Sequence, residues 1–233
     1  MANLVLFMIT LSSLALILSA IEGISAVEYT VINTAENTPG GARFDADIGG
    51  QYSQETLENA TTFIWGIFQQ NNASDRKNVE RVSLFIDDMD GFSYVSNNNQ
   101  IHVSARYIQV YPGDVKTEIT GILYHQMTHI WQWIGNGQPV PDGLIEGIAD
   151  FVRLKSGYAP TSHWVSAGQG DRWDQGYDVT ARFLDYCDQL KNGKFVAELN
   201  QKMRDGYSDG YFQELLGKSV DDLWVDYKAK FNN

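Results

Sequence analysis

Apolar positions recur with two different periods along this chain, and the change of period divides it. Residues 28–34 (EYTVINT) and 82–88 (VSLFIDD) have the composition and alternation of strands. Two more strand-like stretches follow, FSYVS at 92–96 and IHVSARYIQV at 101–110, joined through Asn97-Asn98-Asn99 as a hairpin turn. The alternation of Ile101, Val103 and Ala105 predicts a half-buried strand, with a sheet edge as one candidate place for it. Between the first two strands, TPGGAR (38–43) reads as a turn and residues 52–70 as a helix with Leu57, Phe63, Ile64 and Phe68 on its apolar stripe. Residues 69–78 read as a polar loop.

After Tyr111-Pro112-Gly113-Asp114 the period becomes helical. The first strong helix is predicted over residues 115–134, with Asp114 as N-cap and Gly135 as its stop. Further helices are predicted over 143–156, 174–191, 193–205 and 219–231. Strands early and helices late predict an α+β fold: an N-terminal mixed β-sheet with helices, then a mainly helical C-terminal part. No repeat and no long linker divides residues 27–233, so one domain is expected.

The N-terminus changes the setting of that domain. Residues 4–21 are almost all apolar or small, and Ser25 and Ala26 follow Glu22. This predicts a secretory signal peptide over residues 1–26, and hence a secreted, extracellular protein. A membrane anchor is the alternative; the small residues after the run, and the lack of Lys or Arg beside it, favour cleavage. The chain carries 29 acidic and 17 basic residues, a formal charge of −12, and losing Glu22 leaves −11. That balance argues against nucleic acid as a partner. The one cysteine, Cys187, excludes an intrachain disulfide and is expected to be buried and inert. Asn59-Ala60-Thr61 and Asn72-Ala73-Ser74 are candidate glycosylation sites. The expected form is a soluble monomer, free of the membrane once the signal is removed.

Chemistry concentrates on two neighbouring helices. His125-Gln126-Met127-Thr128-His129 puts two imidazoles one turn apart on one helical face, where both can reach one metal ion. A chain with 4 His among 233 residues should show only ~0.07 such pairs by chance. On the next helix Glu146 and Asp150 are also four apart, among apolar neighbours Leu144, Ile145, Ile148, Phe151 and Val152. A tight return between the helices can bring Glu146 opposite the two His, giving three ligands and an open fourth position, as catalytic Zn²⁺ sites have. Asp150 would then accept the N–H of a ligand His and fix its tautomer.

The segments YHQMTHIWQWIGNG, GLIEGIADFVRLKSGYAP and GQGDRWDQGYDVTARFLDY resemble the plant basic secretory protein family, a group of secreted, defence-associated proteins placed with zinc peptidases of plants and bacteria. The likeness runs from about Tyr29 to residue 227 and is densest over 120–186. It implies a zincin-like fold, a metal site at His125 and His129, and zinc-dependent hydrolysis of peptide bonds in a peptide or protein substrate. Glu146 and Asp150 match an ExxxD pattern, and the spacing leaves open which of the two binds metal. Two departures matter. Where zincins carry HExxH, this chain has Gln126, an amide that hydrogen-bonds but cannot take up a proton at neutral pH. And a family called basic is represented by an acidic chain. The alternative to an enzyme of reduced activity is therefore a non-catalytic pseudopeptidase that binds peptide or another apoplastic ligand.

Other candidates are weaker. Tyr177, in RWDQGYDVTAR, is a candidate donor to a developing oxyanion, with core packing as its alternative. His163 is a candidate neighbour of the metal or otherwise a loop residue, and His102 is expected to be structural. Trp131 and Trp133 are expected in the core and the cleft wall. The 101–105 strand, if at an edge, could pair with an extended peptide. No phosphate loop or nucleophile-elbow serine is present.

Overall fold

A computed structural model describes residues 27–231; residues 1–26, where the signal peptide is expected, lie outside the described residues. Strands β1 (Glu28–Asn33), β2 (Arg81–Asp87), β3 (Ser93–Ser96) and β4 (Gln100–Ser104) form one mixed sheet in the order β1-β2-β4-β3. β1 and β4 run parallel to β2, and β3 runs antiparallel to β4. Val82, Leu84 and Ile86 alternate with half-exposed residues along β2 and meet Ile101 and Val103 of β4 in the core. The hairpin between β3 and β4 turns at Asn98 and Asn99, both at positive φ (64° and 57°), a conformation asparagine tolerates.

This arrangement corrects three expectations about the first half. The 101–110 stretch is not one strand. The ladder stops at Ser104, whose hydroxyl accepts from Tyr107 N and caps a helix, Ala105–Val110. Nor is β4 at the edge, because the hairpin folds β3 back onto it and leaves β3 outermost. Finally, TPGGAR is helical: Thr38 accepts from Gly41 N and Pro39 opens α1 (Pro39–Asp47). Helix α2 (Gly50–Ile67) follows and packs on the sheet and on the central helix, with the short helix Ala105–Val110 as α3.

The central helix α4 (Val115–Trp131) is capped by Asp114, which accepts from Lys116 N and Thr117 N, and 14 of its 17 residues are buried. It ends earlier than Gly135. Gln132 turns extended at ψ 145°, its side chain bonded back toward the helix, and Trp133 N donates to Asn200 Oδ1. Helices α5 (Asp142–Lys155) and α6 (Tyr177–Leu190) lie against each other, with α5 also against α4. The chain closes with α7 (Phe195–Lys202), α8 (Gly210–Leu216) and α9 (Val220–Phe231), of which α8 lies outside every predicted helix. The α+β class and the mixed sheet therefore hold. Trp131 is buried in the core, whereas Trp133 packs at its margin under Lys77 and Arg204 and does not line the cleft. Cys187 is fully buried, and burial, then the nearby Asp188, pushes its thiol pKa well up.

Candidate metal centre

One face of α4 forms the floor of a cleft of about 1030 Å³, bounded on one side by β3 and on the other by α5 and the start of α6. Because the helix repeats every 3.6 residues, Glu118, Ile122, His125, Gln126, His129 and the following Gln132 share that face. His125 Nε2 and His129 Nε2 lie 3.0 Å apart. Glu146 Oε2 on α5 sits 3.2 Å from the first and 3.5 Å from the second. Three ligand atoms held ~2.0–2.1 Å from a tetrahedral ion would be roughly 3.3 Å from each other. The cluster is thus already spaced as ligands, with all three facing atoms of a kind that binds zinc.

Asp150, one turn beyond Glu146, points elsewhere. Its Oδ1 is 2.6 Å from His125 Nδ1, on the side of the ring away from Glu146. The two acids thus take different positions: Glu146 faces both Nε2 atoms and Asp150 holds the back of one ring.

Burial shapes the charges of this group. It opposes a charge on His125, but hydrogen bonds to Asp150 and Glu146 outweigh it and push the His125 pKa up to about 9. For His129 burial prevails over the pull of Glu146, aided by its charged neighbour His125, and the pKa is lowered. Burial raises the Glu146 pKa less than its bonds to the two His lower it, so the carboxyl stays well below the usual range.

Gln126 is buried and lines the cleft. Its Nε2 donates to Ser93 Oγ of β3 at 2.8 Å, while its Oε1 has no hydrogen-bond partner among the described residues. Tyr177 is the first residue of α6 and is held at φ 46°, unusual for a residue with a side chain. It is not packed in the core: 56% exposed, it lies over the site with its ring parallel to that of His125 at 6.3 Å. The charge of Glu146, then burial and Asp150, raise its pKa and keep the phenol protonated.

Two glycines make this approach of α6 possible. A Cβ on Gly143 would lie 1.9 Å from Asp174 O, and one on Gly147 would lie 2.2 Å from Thr180 Cγ2. Without side chains at these positions, the turn before α6 nests into α5 beside Glu146 and brings Tyr177 over the cluster.

His163 stands exposed at the mouth of the cleft, its Nδ1 3.1 Å from Ser162 Oγ. His102 lies on β4 bonded to Asp87 and stacked between Phe85 and Tyr94, away from the cluster. Two site residues lie outside the sequence candidates. Ser93 comes from a strand far from the motif, and Gln132 lies three residues beyond His129, a position that helical periodicity alone could have raised.

The fold and the cluster define an α+β protein whose two central helices present a His–His–Glu group, able to hold a metal ion, in an open cleft. The chain belongs to the family described as peptidases of plants and bacteria, which matches residues 24–227. A basic secretory protease of Boswellia serrata is 46% identical over 59 residues, covering 25% of this chain and 66% of that protein, just under two thirds of its length. No solved structure matches the chain. Among the described residues no helix is long and apolar enough to cross a membrane.

Proposed function

We propose that this chain is a secreted, defence-associated, zincin-like zinc metallopeptidase that hydrolyses peptide bonds with an activity reduced by Gln126. The observation that carries the reading is the spacing of His125 Nε2, His129 Nε2 and Glu146 Oε2, 3.0–3.5 Å apart on the floor of an open cleft. These three residues would hold the ion, and Asp150 would fix the His125 tautomer by accepting its Nδ1–H. Two imidazoles, one carboxylate and an open side suit Zn²⁺, which as a Lewis acid polarises a carbonyl and makes water more acidic.

The remaining work falls to the chain's own groups. Tyr177 lies exposed in the cleft with its phenol pKa raised, so its hydroxyl can donate to the carbonyl oxygen of a scissile peptide. The outer edge of β3, with Phe92 and Tyr94 exposed beside it, offers backbone groups to an extended peptide; this role passes to β3 from the strand at 101–105. Gln126 Oε1 can accept a hydrogen bond from an attacking water and orient it. It cannot keep the proton, and general-base help is worth about 10²–10⁴ in rate.

That same amide favours a second reading: a pseudopeptidase that retains the metal and binds peptide or another apoplastic ligand without cleaving it. Secretion of a monomer, guided by the signal peptide and decorated at Asn59 and Asn72, belongs to both readings; both asparagines lie exposed. The test compares peptidase activity of the purified protein with that of Gln126→Glu, with and without a chelator. Cleavage by the wild type that a chelator abolishes supports the enzyme. Cleavage by the Glu variant alone supports the pseudopeptidase.

A further inference from the structure

The two ring nitrogens of a ligand histidine are linked. If Nε2 gives its lone pair to a metal, a neutral ring carries its proton on Nδ1, and that N–H needs an acceptor. His125 has one in Asp150. For His129, the only group bonded to Nδ1 among the described residues is the amide of Gln132, 2.9 Å away. Gln132 is fully buried at the C-cap of α4, where its Nε2 also donates to Ile145 O at 3.3 Å. Its Oε1 is buried with no partner among the described residues. With the nitrogen facing it, Nδ1 must be the acceptor and the His129 proton sits on Nε2, the atom directed at Glu146. A half turn of the amide exchanges the two ends in the same volume. The carbonyl oxygen then faces Nδ1–H, and the weaker bond to Ile145 O is given up.

We propose that Gln132 is a positioning residue for His129, turning its amide oxygen to Nδ1–H when a divalent cation is bound and its amide nitrogen to Nδ1 otherwise. The proposal rests on the reading of His125, His129 and Glu146 as metal ligands. It makes this side chain the counterpart of Asp150, with one difference. Asp150 is an acceptor in both conditions, whereas the Gln132 amide offers a partner to either tautomer.

Zinc affinity of the purified protein, measured by competition with a chromogenic chelator, tests this together with Gln132→Leu and Gln132→Glu. Gln132→Leu keeps the volume but bonds to neither tautomer, and should weaken zinc binding about 10–100-fold. Gln132→Glu, an acceptor at both ends, should restore affinity to at least the wild-type level. In ¹⁵N spectra of the wild type, the His129 proton should move from Nε2 to Nδ1 on adding zinc. Equal affinity of wild type and Gln132→Leu, or a His129 proton that does not move although zinc binds, overturns the proposal and leaves the metal centre standing. Failure of the wild type to bind zinc overturns both. If Gln132→Leu does not fold, the Gln132→Glu affinity and the wild-type spectrum decide.

Discussion

The amide nitrogen of Gln126 donates a 2.8 Å hydrogen bond to the hydroxyl of Ser93, tying the His-bearing helix to the edge strand β3. This bond decides which end of the amide is free. Ser93 takes the nitrogen, so the oxygen is left without a partner in the buried floor of the cleft. Ser93→Ala should leave a buried donor unpaired and destabilise the protein by ~1–2 kcal/mol, read from denaturant unfolding. In a Gln126→Glu protein the serine can donate to the carboxylate instead, so the same Ser93→Ala change should also lower the peptidase rate of that variant.

Tyr177 combines strain with exposure. A positive φ at a non-glycine residue costs free energy, and a 56%-exposed ring recovers little of it by packing. Tyr177→Phe should therefore leave unfolding stability within about 0.5 kcal/mol of wild type. It should reduce kcat of the cleaving form, wild type or Gln126→Glu, by about 10²–10³ with little change in KM. An unchanged kcat would remove the hydroxyl from the chemistry.

The contact between α5 and α6 should be intolerant of the smallest side chain. Gly147→Ala places its Cβ 2.2 Å from Thr180 Cγ2 and 2.4 Å from Thr180 Cβ, so the helices must part. The expected loss is ~1–3 kcal/mol in thermal or denaturant unfolding. Because α6 carries Tyr177, the variant should also lose activity out of proportion to its loss of folded protein.

A pH-dependent term lies away from the cleft. Burial beside Trp133 lowers the Lys77 pKa from its ordinary 10.5 to about 8. Between these values the unfolded chain binds the proton and the folded chain does not, so this group adds stability as pH rises through the window. Below about 8 both states are charged and the burial cost is felt in full. Lys77→Met should accordingly be more stable than wild type by on the order of 2 kcal/mol at pH 7, allowing for partial exposure. The difference should shrink from pH 8 to 10.5. A difference that does not vary with pH would contradict the assignment.

The HxxxH helix could be read in the sequence because three local signals agree: the His spacing, the apolar periodicity around it and Asp114 as its cap. Glu146 and Asp150 were legible as neighbours of that pair, but not their division of labour, since an i, i+4 pair places both on one face and only packing shows which oxygen meets which nitrogen. The 101–105 strand misled because its alternation runs on through Ala105, while a single hydroxyl, Ser104, ends the ladder by capping the next helix. The edge position of β3, and with it the Ser93 contact to Gln126, depends on sheet order, which no local pattern carries. Tyr177 was visible as chemistry; the glycines that place it over the cluster act by what they lack, and sequence spacing does not show a void.

The central claim is that His125, His129 and Glu146 hold one metal ion. Zinc content of the purified protein, measured by elemental analysis after dialysis against limiting Zn²⁺, tests it most directly beside His129→Ala. The account expects one zinc per wild-type chain and none per folded His129→Ala chain. A wild type without zinc, or a variant that retains as much as the wild type, would contradict it.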